Sequence, residues 1–317
     1  MLSWLLRLIG VLLMLSAVAA QWARAPDRSP DSLVARWAPR PSDFIEVQGQ
    51  LVHLRDEGPR QDPQPVLLLH GLAGSLHDWN GWVTPLRGQH RVVRLDLPGA
   101  GLTGPVAGAG HPDDYSGDAL ARFVLATMDR LKLQRVTVVG HSLGGEVAWR
   151  LASMAPERVG RLVLLDAGGL PAPQGEVPLG VRLAGLPVLG WLGDHVLPRP
   201  VVEQSLQDLY ADPRRIGPEL VDRHFELLLR EGNRRALRLL LQRQRPGEDA
   251  DRLAQLRVPT LVLWGERDRV LPPSVGAEFA HRIPGARLQV FQNLGHLPHE
   301  EDPPRTVKAL QEFLGPR

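Results

Sequence analysis

The chain contains no cysteine. Disulfides, a thiolate nucleophile, a cysteine zinc site and a lipid-modified amino-terminal cysteine are therefore excluded, and the redox character of its compartment is left open. Net charge is nearly absent as well: 37 basic residues against 35 acidic ones leave +2, and the basic residues, nearly all arginine, are scattered among acids. A polyanion partner calls for a clustered basic stripe with interleaved aromatics, so nucleic acid is set aside as a partner. Long hydrophobic runs are missing too, with one exception at the amino terminus. The remaining balance, 43% hydrophobic and 23% charged overall, is that of a water-soluble globular body. A length of 317 residues suits one α/β domain carrying an insertion.

The exception is residues 1–20, apolar apart from Ser3, Arg7 and Ser16. Residues 1–24 read as a hydrophobic anchor or a signal segment. For a signal peptide, Ala17-Val18-Ala19 fits the small-x-small cleavage pattern, although the residues before Arg7 are greasy rather than basic. For an anchor, about twenty residues suffice to span the hydrocarbon layer, with Arg7 snorkelling to one interface. A helix packed on the fold is the third reading. Arg24, Arg28, Arg36 and Arg40 would favour keeping the far side cytoplasmic, against export. The expectation is a membrane-anchored or exported (periplasmic or secreted) protein, with the side of the membrane open. Residues 25–42, rich in Pro, Arg, Asp and Ser, read as a linker.

The folded body begins near Asp43 with two alternating stretches, 44–47 and 51–54, around a Gln48-Gly49-Gln50 turn: an opening hairpin. Short apolar runs follow at 66–69, 136–139, 162–165 and 261–264. They are too short for helices and match strands buried on both faces of a parallel sheet. Helical stretches at 116–131 and 144–155 lie between them. The pattern predicts an α/β fold, a mostly parallel sheet flanked by helices, built from 43–167 and 253–317. Residues 168–252 break the rhythm. Helical pieces at 203–210, 219–230 and 233–244 predict a helical cap insertion, and its apolar part, 181–197, carries Arg182, Asp194, glycines and prolines that argue against a membrane span.

Gly140-His141-Ser142-Leu143-Gly144 directly follows the 136–139 strand and directly precedes a helix. A sharp strand-to-helix turn strains the serine backbone and requires small residues two positions either side, which Gly140 and Gly144 supply. Ser142 then lies at a helix amino end that favours developing negative charge. A hydroxyl nucleophile needs a base, and a neutral imidazole oriented by a carboxylate is suited to that task near neutral pH. His296, on a Gly-flanked loop after the strand at 288–291, is assigned as base; His299 is the competitor, expected in a surface or supporting role. For the carboxylate, Asp268 follows the 261–264 strand and keeps the order Ser, Asp, His; Asp166, ending the 162–165 strand, stays open as the alternative. The backbone N–H groups of Leu143 and Leu72, the latter in His70-Gly71-Leu72-Ala73-Gly74, are the candidate oxyanion donors.

With these residues in place, the chain resembles the α/β-hydrolase superfamily from about Asp43 to the carboxyl end. The segments HGLAG, DLPGAG (96–101), GHSLGG (140–145), GERDRVLP (265–272) and GHLPHEEDP (295–303) occur in order. The resemblance implies Ser142 as nucleophile, Asp268 as acid, His296 as base, Leu72 and Leu143 as oxyanion donors, and no metal or cofactor. It also implies that the insertion covers the site. Serine at the elbow argues against haloalkane dehalogenases and related epoxide hydrolases, which place aspartate there. Prolyl aminopeptidases usually show HGGPG where this chain has HGLAG. Carbon-carbon bond hydrolases often carry Asn where His141 stands. The expected activity is hydrolysis of a carboxylic ester or lactone of a small to medium hydrophobic acyl group. Carbon-carbon hydrolysis, a perhydrolase or haloperoxidase-like activity, and a non-catalytic ligand-binding role are the alternatives.

Overall fold

The computed structural model describes residues 24–106, 114–172, 175–185 and 193–315, together with residues 4, 6, 7, 9–11 and 14. Eight strands form one sheet: β1 (Ser42–Val47), β2 (Gln50–Glu57), β3 (Val66–Leu69), β4 (Val92–Leu95), β5 (Val136–His141), β6 (Val159–Leu165), β7 (Thr260–Gly265) and β8 (Arg287–Phe291). Their order is β1-β2-β4-β3-β5-β6-β7-β8. The β1–β2 and β2–β4 pairs are antiparallel and all others parallel. The predicted α/β class, a mostly parallel sheet flanked by helices, is thus observed.

Side chains alternate across the central strands, and each set meets its own helices. Leu67, Leu69, Val138, Leu164 and Val262 pack with Leu120, Val124 and Trp149 in one cluster. Val66, Leu68, Val139, Val163 and Leu261 pack with Trp82, Leu86 and Leu310 in the other. Burying each such side chain stabilises by about 1.5–3 kcal/mol. The sequence reading did not single out β4, because Arg94 interrupts its apolar run. That guanidinium is buried by being paired: it donates to Glu57 Oε2 at 3.0 Å and to Asn80 Oδ1 at 2.5 Å.

After β3 the chain moves to β4 on one side, and β5 then takes the other side. Loops leaving β3 and β5 diverge at such a switch point and open a crevice at the carboxyl edge of the sheet. Pairing of Leu69 with Gly140 sets the end of β3 beside the Ser142 turn.

Residues 25–42 depart from the linker expectation. They hold a helix, Pro30–Trp37, with Leu33 and Trp37 buried against Leu102 and Leu227. Trp37 Nε1 donates to Glu226 Oε2 at 2.7 Å, and Arg28 exchanges backbone bonds with Leu229 and Glu231. Proline and arginine content suggested an open tether, but apolar residues at 33, 34 and 37 give one short helix a face to bury. The anchor or signal reading of 1–24 falls largely outside the described residues. Within that segment Trp4, Leu6, Ile9, Val11 and Met14 are exposed. Among the described residues no helix is long and apolar enough to cross a membrane.

Four described α-helices lie between β6 and β7: Leu179–Ala184, Arg199–Leu209, Pro218–Leu228 and Asn233–Arg243. Val202, Leu206 and Val221 make their small core. The chain has returned to the main core by Ala250–Gln255, where Leu253 is fully buried.

Candidate active site

The turn after β5 is built from crowding. Ser142 has φ 49° and ψ −117°, a backbone conformation that costs an L-residue about 1–3 kcal/mol and must be enforced by its neighbours. A Cβ on Gly140 would come 2.1 Å from Gly144 O, and one on Gly144 would come 2.3 Å from Leu69 O. No larger residue fits at either position. The Ser142 carbonyl accepts from Gly145 N and Gly168 N at 2.9 and 2.8 Å, and Leu143 begins the helix Leu143–Met154.

Ser142 Oγ donates to His296 Nε2 at 3.1 Å, and His296 Nδ1 donates to Asp268 Oδ2 at 2.7 Å. Asp268 Oδ1 accepts from Val270 N and Leu271 N at 2.9 and 3.0 Å. The structure therefore brings Ser142, His296 and Asp268 into one hydrogen-bonded relay. It leaves Asp166, the alternative, behind Asp268, where Oδ1 accepts from Gly265 N at 2.8 Å. His299 is not at the surface. It is fully buried, its ring 4.4 Å from Trp79 and 4.7 Å from His141, and burial pushes its pKa down to about 3.

Leu72 and Leu143 line the pocket together with Ser142. Leu143 is the first residue of its helix, where N–H groups have no intrahelical acceptor. The Leu72 N–H makes no hydrogen bond among the described residues. Among the described residues neither backbone N–H has a protein acceptor, and both residues lie at the pocket.

Two supporting residues escaped the sequence reading. Leu97 N donates to His70 Nε2 at 2.9 Å, so the ring hydrogen resides on Nδ1, which donates to Gly71 O at 2.8 Å. Burial keeps this imidazole neutral, with its pKa lowered, and it fixes the loop that presents Leu72. Glu301 accepts from Gly295 N at 2.6 Å and from Ala211 N at 3.0 Å, holding the His296 loop and an insertion residue with one carboxylate. For Glu301 the signal available was the acidic run Glu300-Glu301-Asp302 directly after His299. His141 Nε2 donates to the His296 carbonyl at 2.7 Å, and burial holds its ring well below its ordinary pKa.

Above Ser142 lies a pocket of about 570 Å³. The insertion contributes aliphatic walls, among them Val181, Leu197, Val202, Leu206 and Leu209. Insertion and core are joined beside it. Arg223 Nη2 donates to Glu300 Oε1 at 2.6 Å and to Asp78 Oδ1 at 3.2 Å, and Tyr210 Oη donates to Glu300 Oε2 at 2.8 Å. Burial pushes Glu300 up to about 7, with Arg223 opposing. Among the described residues, the group with metal-ligand spacing is Asp166, Asp268 and His296, whose ligand atoms lie within 4.8 Å of one another. Both ring nitrogens of His296 already have protein partners.

A family model for the alpha/beta hydrolase fold matches residues 64–303. The chain is 29% identical over 274 residues to a 2-hydroxy-6-oxononadienedioate/2-hydroxy-6-oxononatrienedioate hydrolase of Cupriavidus pinatubonensis, covering 83% of this chain and 90% of the relative. A thermophilic esterase from Thermogutta terrifontis superimposes with a TM-score of 0.71 at 25% identity, over 86% of this chain and 98% of that one. A membrane phospholipase A described as a bacterial virulence factor shares the fold at a TM-score of 0.72 and 24% identity, over 99% and 98% of the two chains.

Proposed function

We propose that this chain, which belongs to the α/β-hydrolase fold family, is a serine hydrolase that cleaves a carboxylic ester or lactone with a small to medium hydrophobic acyl group. The observation that carries the reading is the Ser142–His296–Asp268 relay opening into a mainly aliphatic pocket of about 570 Å³. A pocket of this kind favours an apolar acyl chain, while the polar groups at its floor set orientation.

In the proposed reaction His296 Nε2 takes the Ser142 proton as Oγ attacks the ester carbonyl. The Leu72 and Leu143 N–H groups receive the developing oxyanion, each worth about 3 kcal/mol in such sites. The His296 proton then passes to the leaving alkoxide, and an acyl-Ser142 ester remains. Water, deprotonated by His296, releases the acid and restores the serine. Asp268 holds the ring with its hydrogen on Nδ1 throughout.

Residues 168–252 act in this reading as a cap over the acyl group, and the apolar amino-terminal segment associates the protein with a membrane or directs its export. A p-nitrophenyl ester series with a fluorophosphonate probe tests the chemistry. Turnover and labelling at Ser142, both lost in Ser142→Ala, are expected; folded protein that neither turns over esters nor labels would refute it. Carbon-carbon hydrolysis is the second reading, favoured by the likeness to the nonadienedioate hydrolase. A dioate substrate of that type, consumed faster than any ester, would replace the first reading with it.

A further inference from the structure

Asp166 follows β6 with φ +42°, is fully buried, and its position is fixed by its own N–H, which donates to Leu263 O at 3.0 Å. One carboxyl oxygen accepts from Gly265 N; the other, Oδ2, is sealed from solvent and has no donor facing it. Beside this carboxyl group lie the Asp268 carboxylate and His296, with one ligand atom of each residue within 4.8 Å of the others, and Glu301 contributes further negative charge from the helix Pro298–Glu301. Two buried carboxyl groups at such a distance do not both ionise, because the second charge is neither solvated nor paired. The donor count decides which keeps the proton. Asp268 receives Val270 N, Leu271 N and His296 Nδ1, whereas Asp166 receives Gly265 N alone.

We propose that Asp166 is a positioning residue: a neutral carboxylic acid whose Oδ2 hydrogen is donated to Asp268, so that Asp268 is gripped from behind while it holds His296. Burial first, and then the Asp268 charge, drive its pKa well above the usual carboxylate range, in keeping with that geometry. The assignment rests on Asp268 and His296 serving Ser142. It gives the residue after β6 a role distinct from that of the orienting acid itself.

The experiment compares wild type, Asp166→Asn and Asp166→Ala by the rate of fluorophosphonate labelling at Ser142 across pH. Asparagine keeps an N–H donor toward Asp268 and a carbonyl for Gly265 N, so labelling within about threefold of wild type and an unmoved acid limb are expected. Alanine removes both groups; labelling about tenfold slower or worse is expected, with the acid limb moved to higher pH, since Asp268 relieved of a donor holds the imidazolium more tightly. An Asp166→Asn acid limb moved to lower pH would mean that a negative charge had been removed and would overturn the proposal. So would an Asp166→Ala profile that keeps the wild-type limb while only its melting temperature falls. The infrared carbonyl band of a protonated carboxylic acid, taken at neutral pH as wild type minus Asp166→Asn so that other protonated carboxyl groups such as Glu300 cancel, reads the same claim without activity; its absence from that difference overturns it. A wild type that never labels refutes the hydrolase reading alone, and the infrared band still decides the state of Asp166.

Discussion

The sheet and the helical insertion between Leu179 and Arg243 line the same pocket by different means. On the sheet side the backbone is crowded: Gly140, Gly144 and Gly265 each have carbonyl oxygens within 2.3 Å of where a Cβ would sit. On the insertion side, among the described residues, Gly193 has nothing within 4 Å, Gly180 meets a side-chain hydroxyl, that of Ser205, rather than backbone, and Leu183 remains exposed. Reacting groups must be held to a fraction of an ångström, which close-packed strands and a strained turn can do. Walls that accept a substrate need only the right shape and polarity, and exchangeable side chains on short helices provide that.

The strongest test of this contrast is chemical. Ser142→Ala should lower ester turnover by about 10⁴-fold or more while leaving the melting temperature near that of wild type; an active variant would remove Ser142 from the mechanism. Next comes the crowded backbone. Gly140→Ala should destabilise by about 2–4 kcal/mol in denaturant unfolding and abolish labelling, whereas Gly193→Ala should stay within about 0.5 kcal/mol. Equal costs at the two glycines would erase the distinction between the regions. On the insertion, Leu197→Trp should reduce turnover of an octanoate ester about tenfold or more and an acetate ester less than about threefold, because only the longer chain reaches that wall. A uniform loss would place Leu197 in folding rather than in substrate fit.

The join between the regions should be sensitive to pH. Glu300 is raised from 4.5 in its ordinary state to about 7, so the folded protein holds a proton that the unfolded chain has released across that window. Its contribution to stability is full below the lower value and is lost as pH rises through the higher one. The difference in thermal unfolding between wild type and Glu300→Gln from pH 5 to 8 should show this decline, since the buried histidines, which act with the opposite sign, are common to both proteins. A difference that grows in favour of wild type over this range would reverse the assigned sign. The smallest effect belongs to Trp37→Phe, which deletes the hydrogen bond to Glu226. A loss of about 1–2 kcal/mol in local protection of the Pro30–Trp37 helix by hydrogen exchange is expected. No change there would show that the helix is held by apolar packing alone.

Much of this was legible along the chain because the rules involved are local. Apolar runs at 66–69, 136–139, 162–165 and 261–264 coincide with observed strands, since burial on both faces demands uninterrupted apolar residues. Ser116 caps its helix by accepting from Ala119 N at 3.3 Å, as a serine in that place should. Other features depended on partners distant in sequence. Arg94 hid β4 because Glu57, 37 residues away, is what allows it to be buried. The Pro30–Trp37 helix was hidden because its apolar face has value only against Leu102 and Leu227. In the sequence His70 is visible only as part of the loop that carries Leu72, and its grip on the Gly71 carbonyl depends on Leu97 arriving from another loop.

By itself the sequence determined the fold class, the Gly-x-Ser-x-Gly turn and the short set of residues that could assist Ser142, because strand periodicity and turn sterics act over a few neighbouring residues. Only the tertiary structure decided which of two buried aspartates meets His296. It places Asp268 Oδ2 at 2.7 Å from the ring and puts Asp166 behind it. That choice depends on three strand ends brought side by side by the sheet, and no local pattern in the chain encodes the distance between them.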